Sequence, residues 1–162
     1  MESSLIADAL EKLQPEQSLR LDNGYTARTQ ETVSKLLAAL LTELAPPIPK
    51  VILNHASVAY YEETRAKAFG MPLSALAKSA QSGEAAWKGA KEVLAELTAL
   101  LMENAGPFVE GEQASYADII IAAFLEFARR VDIAVFDRIT EYDLIIKTHY
   151  EATKPWLARN NY

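Results

Sequence analysis

With 162 residues, half of them hydrophobic, the chain is long enough for one domain with a sizeable core and too apolar to be a disordered tail. A formal net charge of -6 argues against a nucleic-acid partner, which needs a basic face, and zero cysteines exclude disulfides, thiolate nucleophiles and cysteine-ligated zinc. No apolar run approaches the roughly 20 residues that cross a bilayer, and the acidic start Met1-Glu2-Ser3-Ser4, soon interrupted by Asp8, carries no signal-peptide pattern, so neither a membrane nor export is expected and the cytoplasm is the default.

From Ser3 to Leu13, the residues Leu5, Ile6, Ala9, Leu10 and Leu13 fall on one face and predict an amphipathic helix that Pro15 ends. The polar stretch from Gln14 to Tyr25 follows, with Asp22-Asn23-Gly24 as a turn signal. Between Thr26 and Leu44 the stripe Val33, Leu36, Leu37, Leu40, Leu41 and Leu44 predicts one long helix, with Lys35 and Glu43 off it. Pro46-Pro47-Ile48-Pro49 is expected to stop that helix. Val51 to His55 then crosses to a second helix capped by Ser57, with Val58, Tyr61, Arg65 and Phe69 on one face and Gly70 as a left-handed terminator. Ser82 or Gly83 opens the next helix, where Trp87, Ala90, Leu94, Leu97 and Leu101 form the buried stripe. Glu84-Lys88 and Glu92-Glu96 pattern its wet face.

After the turn-rich segment Gly106 to Ala114, Ser115 is placed to cap a helix and Asp118 to reach back to the cap amide. The residues behind it, Ile119 to Leu125, are apolar on every face, so this helix should be central and surrounded by others. Arg129 and Arg130 suit its C-terminus. A shorter piece, Ile133 to Tyr142, presents Val135, Phe136 and Ile139, and a last helix from about Tyr142 to Ala152 carries Ile145, Ile146 and His149. The chain reads as all-α, a helical bundle around one buried central helix.

The run Gly-Pro-Phe-Val-Glu-Gly-x-x-x-Ser-Tyr-Ala-Asp, from Gly106 to Asp118, resembles the capping-box and staple segment in the C-terminal domain of glutathione S-transferases. There the box supports folding, so the resemblance implies a structural role for Ser115 and Asp118. A second stretch is Leu53-Asn54-x-x-Ser57, Tyr60-Tyr61-x-x-Thr64-Arg65 and Phe69-Gly70-Met71-Pro72-Leu73. It resembles the fungal branch of these transferases related to bacterial β-etherases, the ustiloxin-cluster-like proteins of secondary metabolism. Glu2 to Lys12 resembles the end of their thioredoxin-like domain, an acidic residue and Ser followed by Ile-Ala-x-x-Leu-Glu. The resemblance runs from Glu2 to about Trp156. It implies that residues 1–25 are a remnant of the last helix of that domain plus a linker, and that 26–162 form the helical domain. Glu2 and Ser3 match the pair that holds the γ-glutamyl end of the cofactor glutathione in a complete family member. The sheet and the thiol-activating residue would lie upstream, so no glutathione binding and no autonomous conjugation are expected of this chain alone. The resemblance is also compatible with a homodimer, an assembly that the sequence itself does not specify.

His55 and His149 lack metal-site spacing, and no metal is expected. Glu62-Glu63 point about 100° apart on a helix and cannot share a pocket wall. His149, on a terminal helix, is expected to cap or to lie at the surface. The set with chemical promise is Tyr60, Tyr61, Thr64 and Arg65, whose hydroxyls and guanidinium can orient an aromatic or carboxylated ligand in a hydrophobic substrate pocket. The alternative is that Tyr61 packs in the core and Arg65 pairs with Glu62. Two functions stand: the substrate-pocket half of a transferase or etherase-like enzyme, shortened or not, or a non-catalytic small-molecule binder or interaction module derived from one.

Overall fold

The computed structural model describes residues 3–21 and 23–158, those at 3 and 17 by backbone only. Glu2, the Ser3 side chain and Asp22 of the expected turn lie outside the described residues. The helices are α1 (Ser3–Leu13), α2 (Tyr25–Ala39), α3 (Leu41–Leu44), α4 (Ile48–Val51), α5 (His55–Phe69), α6 (Leu73–Leu76), α7 (Glu84–Met102), α8 (Tyr116–Val131), α9 (Ile133–Thr140) and α10 (Leu144–Leu157). Among the described residues there is no strand, only two isolated bridges, Phe108 with Gly111 and Glu110 with Gln113.

The core follows the sequence stripes. Leu36 and Leu40 meet Leu94, Leu97 and Leu101 of α7, and Ala117, Ile121, Leu125 and Ala128 of α8 fill the space between them and α10. α8 packs on α2, α9 and α10, which makes it the central helix. It is not covered on every face, because Ile119 is 40% exposed and Ala123 is open as well. Short acidic caps set the following turns. Asp132 accepts from the Ala134 amide at 2.9 Å to start α9, and Asp143 accepts from Ile145 at 3.0 Å to start α10.

Several boundaries depart from the sequence reading for local reasons. The long helix breaks at Leu40, where ψ opens to 10°, and resumes for one turn as α3. The proline run does not exclude helix, since Pro49 sits in the first turn of α4, where its missing N–H is no loss. α5 is capped by Asn54, whose side chain accepts from the Ser57 amide at 3.0 Å, so Ser57 stands inside the first turn. Gly70 closes α5 at φ 69°, as its position suggested.

Tertiary ties hold α1 beside the bundle. The Tyr116 amide donates to Leu19 O at 2.9 Å, and Arg20 meets Gln113 at 2.6 Å and Glu110 at 2.7 Å. Glu11 accepts from the Leu19 amide at 2.5 Å and from the Ser18 hydroxyl, which folds the linker back on α1. Even so, Leu5, Leu10 and Leu13 of the predicted stripe stay more than half exposed, and among the described side chains of α1 only Ala7 is buried.

Candidate ligand-binding site

The structure sorts the four tyrosine-cluster residues into two pairs. Tyr61 and Arg65 line a groove of about 300 Å³ whose other walls include Leu37, Leu41, Ile48, Phe69 and Phe127. Arg65 lies over the Tyr61 ring, 5.3 Å from its centroid, and makes no ion pair with Glu62 or any other carboxylate among the described residues. Tyr61 packs against the small second core of Ala45, Leu73 and Leu76, and its hydroxyl reaches only a long 3.5 Å contact to Ala45 O. Tyr60, 73% exposed, points away from the groove. Thr64 turns its hydroxyl onto its own helix, at 2.8 Å from Tyr60 O and 3.1 Å from Tyr61 O. α5 buries no residue fully, so this helix is a lid on the bundle rather than part of its core.

A larger cleft of about 470 Å³ opens between α1 and α8. Ile6, Leu10, Tyr116, Ile119, Ile120 and Ala123 are among its walls, and Gln30 of α2 supplies an amide. The sequence held the signal for it without showing its meaning. Two apolar surfaces, one on α1 and one on every side of α8, exceed what their neighbours can cover.

The remaining polar clusters are bonded largely from within, with the buried His149 Nε2 left without a hydrogen-bond partner. Asp118, fully buried, accepts from the Val109 amide at 2.8 Å, the Ser115 amide at 2.7 Å and the Ser115 hydroxyl at 2.9 Å. The reciprocal limb of this capping box, from the Asp118 amide to the Ser115 side chain, is the looser one. His149 is not a surface residue: it is fully buried, 3.6 Å from Asp118 Oδ1, and its Nδ1–H donates to Pro107 O at 3.0 Å. Burial holds this imidazole below its ordinary range, against the opposing pull of Asp118 and the Pro107 carbonyl. Phe108 meets His149 edge-on and stacks on Trp156, which roofs the α7–α8 loop. In another cleft, lined by Glu126, Arg129, Phe136 and Tyr150 among others, Glu126 accepts from Arg129 at 2.8 Å, Arg130 at 2.7 Å and Tyr150 at 2.8 Å. Those donors, Arg129 first, lower its carboxyl to about 2. A carboxylate so fully bonded is held for structure and has no lone pair left for acid–base work. Among the described residues no group of three or more metal-ligating side chains exists, and no helix is long and apolar enough to cross a membrane.

These features can be set beside known proteins. The family described as "Glutathione S-transferase, C-terminal domain" matches residues 25–142. The glutathione S-transferase-like protein ustS of Aspergillus flavus is 30% identical over 150 residues, covering 87% of this chain and 54% of its own length. Two glutathione S-transferases of Ceriporiopsis subvermispora, each solved in complex with glutathione, share the fold. CsGST83044 superposes with a TM-score of 0.69 at 21% identity over 94% of this chain and 63% of its own. CsGST63524 gives 0.66 at 20% identity over 90% of this chain and 65% of its own. The chain thus spans about half the length of the curated relative it matches. With its all-α core built on the capped helix α8, the chain belongs to the glutathione S-transferase C-terminal domain family.

Proposed function

We propose that this chain is the hydrophobic-substrate half of a glutathione S-transferase-like protein, and that an apolar or aromatic small molecule binds in the α1–α8 cleft. The observation that carries this reading is the cleft itself, apolar on both sides and wide enough, at about 470 Å³, for a ligand of two or three rings. The thiol chemistry belongs to a thioredoxin-like domain of the kind the resemblance implies, so the chain alone holds no glutathione and conjugates nothing. The name of the Aspergillus flavus relative and the glutathione bound in the two structural neighbours support the family half of this reading. A role in fungal secondary metabolism, a cytoplasmic location and a homodimer are parts of the same proposal.

A second reading, a non-catalytic interaction module, is favoured by Leu5 and Leu13, which extend the apolar face of α1 with 60% and 76% exposure. One titration separates the two. The neutral fluorophore N-phenyl-1-naphthylamine is expected to bind saturably, and Ile119→Glu, at a half-open position, to weaken it about tenfold by placing a carboxylate against the ligand. Calorimetry with glutathione should give no saturable heat, and a generic electrophile no turnover above buffer. Absent fluorophore binding favours the interaction module, and thiol turnover by this chain overturns both readings.

A further inference from the structure

We infer that the groove under α5 is a separate, charge-selective site for a small apolar monocarboxylate, its body on Leu37, Ile48 and Phe127 and its carboxylate on Arg65. Three observations converge on it. First, Arg65 is a cation at the mouth of an apolar groove with no carboxylate partner among the described residues, although Glu63, two residues before it, is engaged by Lys67 at 2.7 Å. Elsewhere the chain pairs its arginines: Arg28 with Glu103, Arg138 with Glu84, and Arg129 with Glu126. Second, the Tyr61 ring holds the guanidinium at 5.3 Å, which fixes its direction while leaving its N–H fork available. That fork matches a carboxylate with two parallel hydrogen bonds. Third, the Tyr61 hydroxyl has only its long 3.5 Å contact to Ala45 O and can donate to the same ligand.

One cation calls for one negative charge, since a second carboxylate would enter the apolar walls uncompensated. A groove of about 300 Å³ admits one or two fused rings. The aromatic side chains Phe69 and Phe127 at its wall favour a flat body. The net charge of -6 repels anions in general, so a preference for an anion must arise at this one site.

The test uses the whole chain with 2-naphthoate and its neutral methyl ester, read by calorimetry and by amide chemical shifts. Saturable naphthoate binding is expected, with the ester about tenfold weaker, the size of one charge-assisted pair. Arg65→Gln should remove that preference, leaving acid and ester alike. Leu37→Glu, 39% exposed at the rim, should weaken the acid more than the ester while the protein stays folded. Tyr61→Phe, which keeps the packing, should weaken the acid by a smaller factor. Shifts should gather on residues 37–48 and 61–69. Equal binding of acid and ester to the unsubstituted chain, an unchanged acid affinity in Arg65→Gln, or shifts gathered on Ile119 and Ala123 would overturn the assignment. The first two outcomes leave the α1–α8 cleft untouched, since that cleft is tested through Ile119, and the third would place the acid in the cleft instead.

Discussion

Asp118→Ala tests how α8 is anchored, and its cost can be worked from the bonds it breaks. The carboxylate accepts three hydrogen bonds, from Ser115 N, Ser115 Oγ and Val109 N, at 2.7 to 2.9 Å. Loss of an N-cap interaction alone costs about 1 kcal/mol. Here the substitution also leaves the Val109 and Ser115 amides without an acceptor in residues that are 0% and 2% exposed, each worth about 1–3 kcal/mol. Relief of the buried carboxylate's own desolvation offsets part of this, so the expected loss is about 3–5 kcal/mol. At about 2–4 °C per kcal/mol for a chain of this size, the melting midpoint should fall by roughly 6–20 °C. Ser115→Ala removes one hydroxyl and keeps its amide bonded, so it should cost only about 1 kcal/mol. Urea unfolding followed by circular dichroism measures both, with equal slopes expected. If the two variants lose the same amount, Asp118 is only a helix cap, and the argument that it also fastens the α7–α8 loop through Val109 fails.

Three further outcomes follow from the same region. The buried His149 protonates below its ordinary value, whereas the unfolded chain takes up that proton near about 6.5. Its contribution is therefore fully present above that pH and is lost as pH falls through the lower folded value; unfolding free energies from pH 8 to 5 should slope less in His149→Asn, and identical slopes would remove His149 as the cause. Gly106→Ala would bring a Cβ within 2.3 Å of the Gly111 carbonyl carbon at φ 136°, so it should cost more than about 3 kcal/mol by the same unfolding assay. Tyr150→Phe, which loses the 2.8 Å bond to Glu126, should cost about 1–3 kcal/mol and leave fluorophore and naphthoate binding unchanged.

What the sequence disclosed was periodic or local. The α1 stripe from Ser3 to Leu13, the turn at Gly70 and the Ser115–Asp118 spacing need only neighbours a few residues away, and the helices begin or end there. What it hid was tertiary. His149 looked like a surface residue because Pro107 and Asp118, its two neighbours in space, lie 42 and 31 positions earlier. Glu84 looked like the partner of Lys88, yet Arg138 reaches it at 2.9 Å while lying 4.3 Å over the Trp87 ring. Ser57 read as the cap of α5, yet Asn54 caps it, and only backbone direction decides between the two. Of the tyrosine cluster, spacing alone put Tyr61, Arg65 and Phe69 on one face, and the groove was invisible because its opposite wall comes from α2, α4 and α8.

The two ligand grooves have different lining residues but are built on the same two helices, α2 and α8, which decides how they must be tested. Gln30 of α2 and Ile119, Ile120 and Ala123 of α8 face the cleft, while Leu37 and Phe127 face the groove. Seven residues separate Gln30 from Leu37, and seven separate Ile120 from Phe127. Both helices therefore return to the same face after about two turns, and they run side by side in the same direction. The grooves are two openings of one seam, offset by about 10 Å along it. A substitution in the seam's floor, such as Leu36 or Ile121, would disturb both and could assign neither. Ile119 and Arg65 stand at opposite ends, and each is exposed enough to change without emptying the core. If the sites are independent, the double variant loses each ligand by the same factor as the corresponding single variant. A larger loss in the double variant would mean that α2 and α8 move as one body when either end is filled.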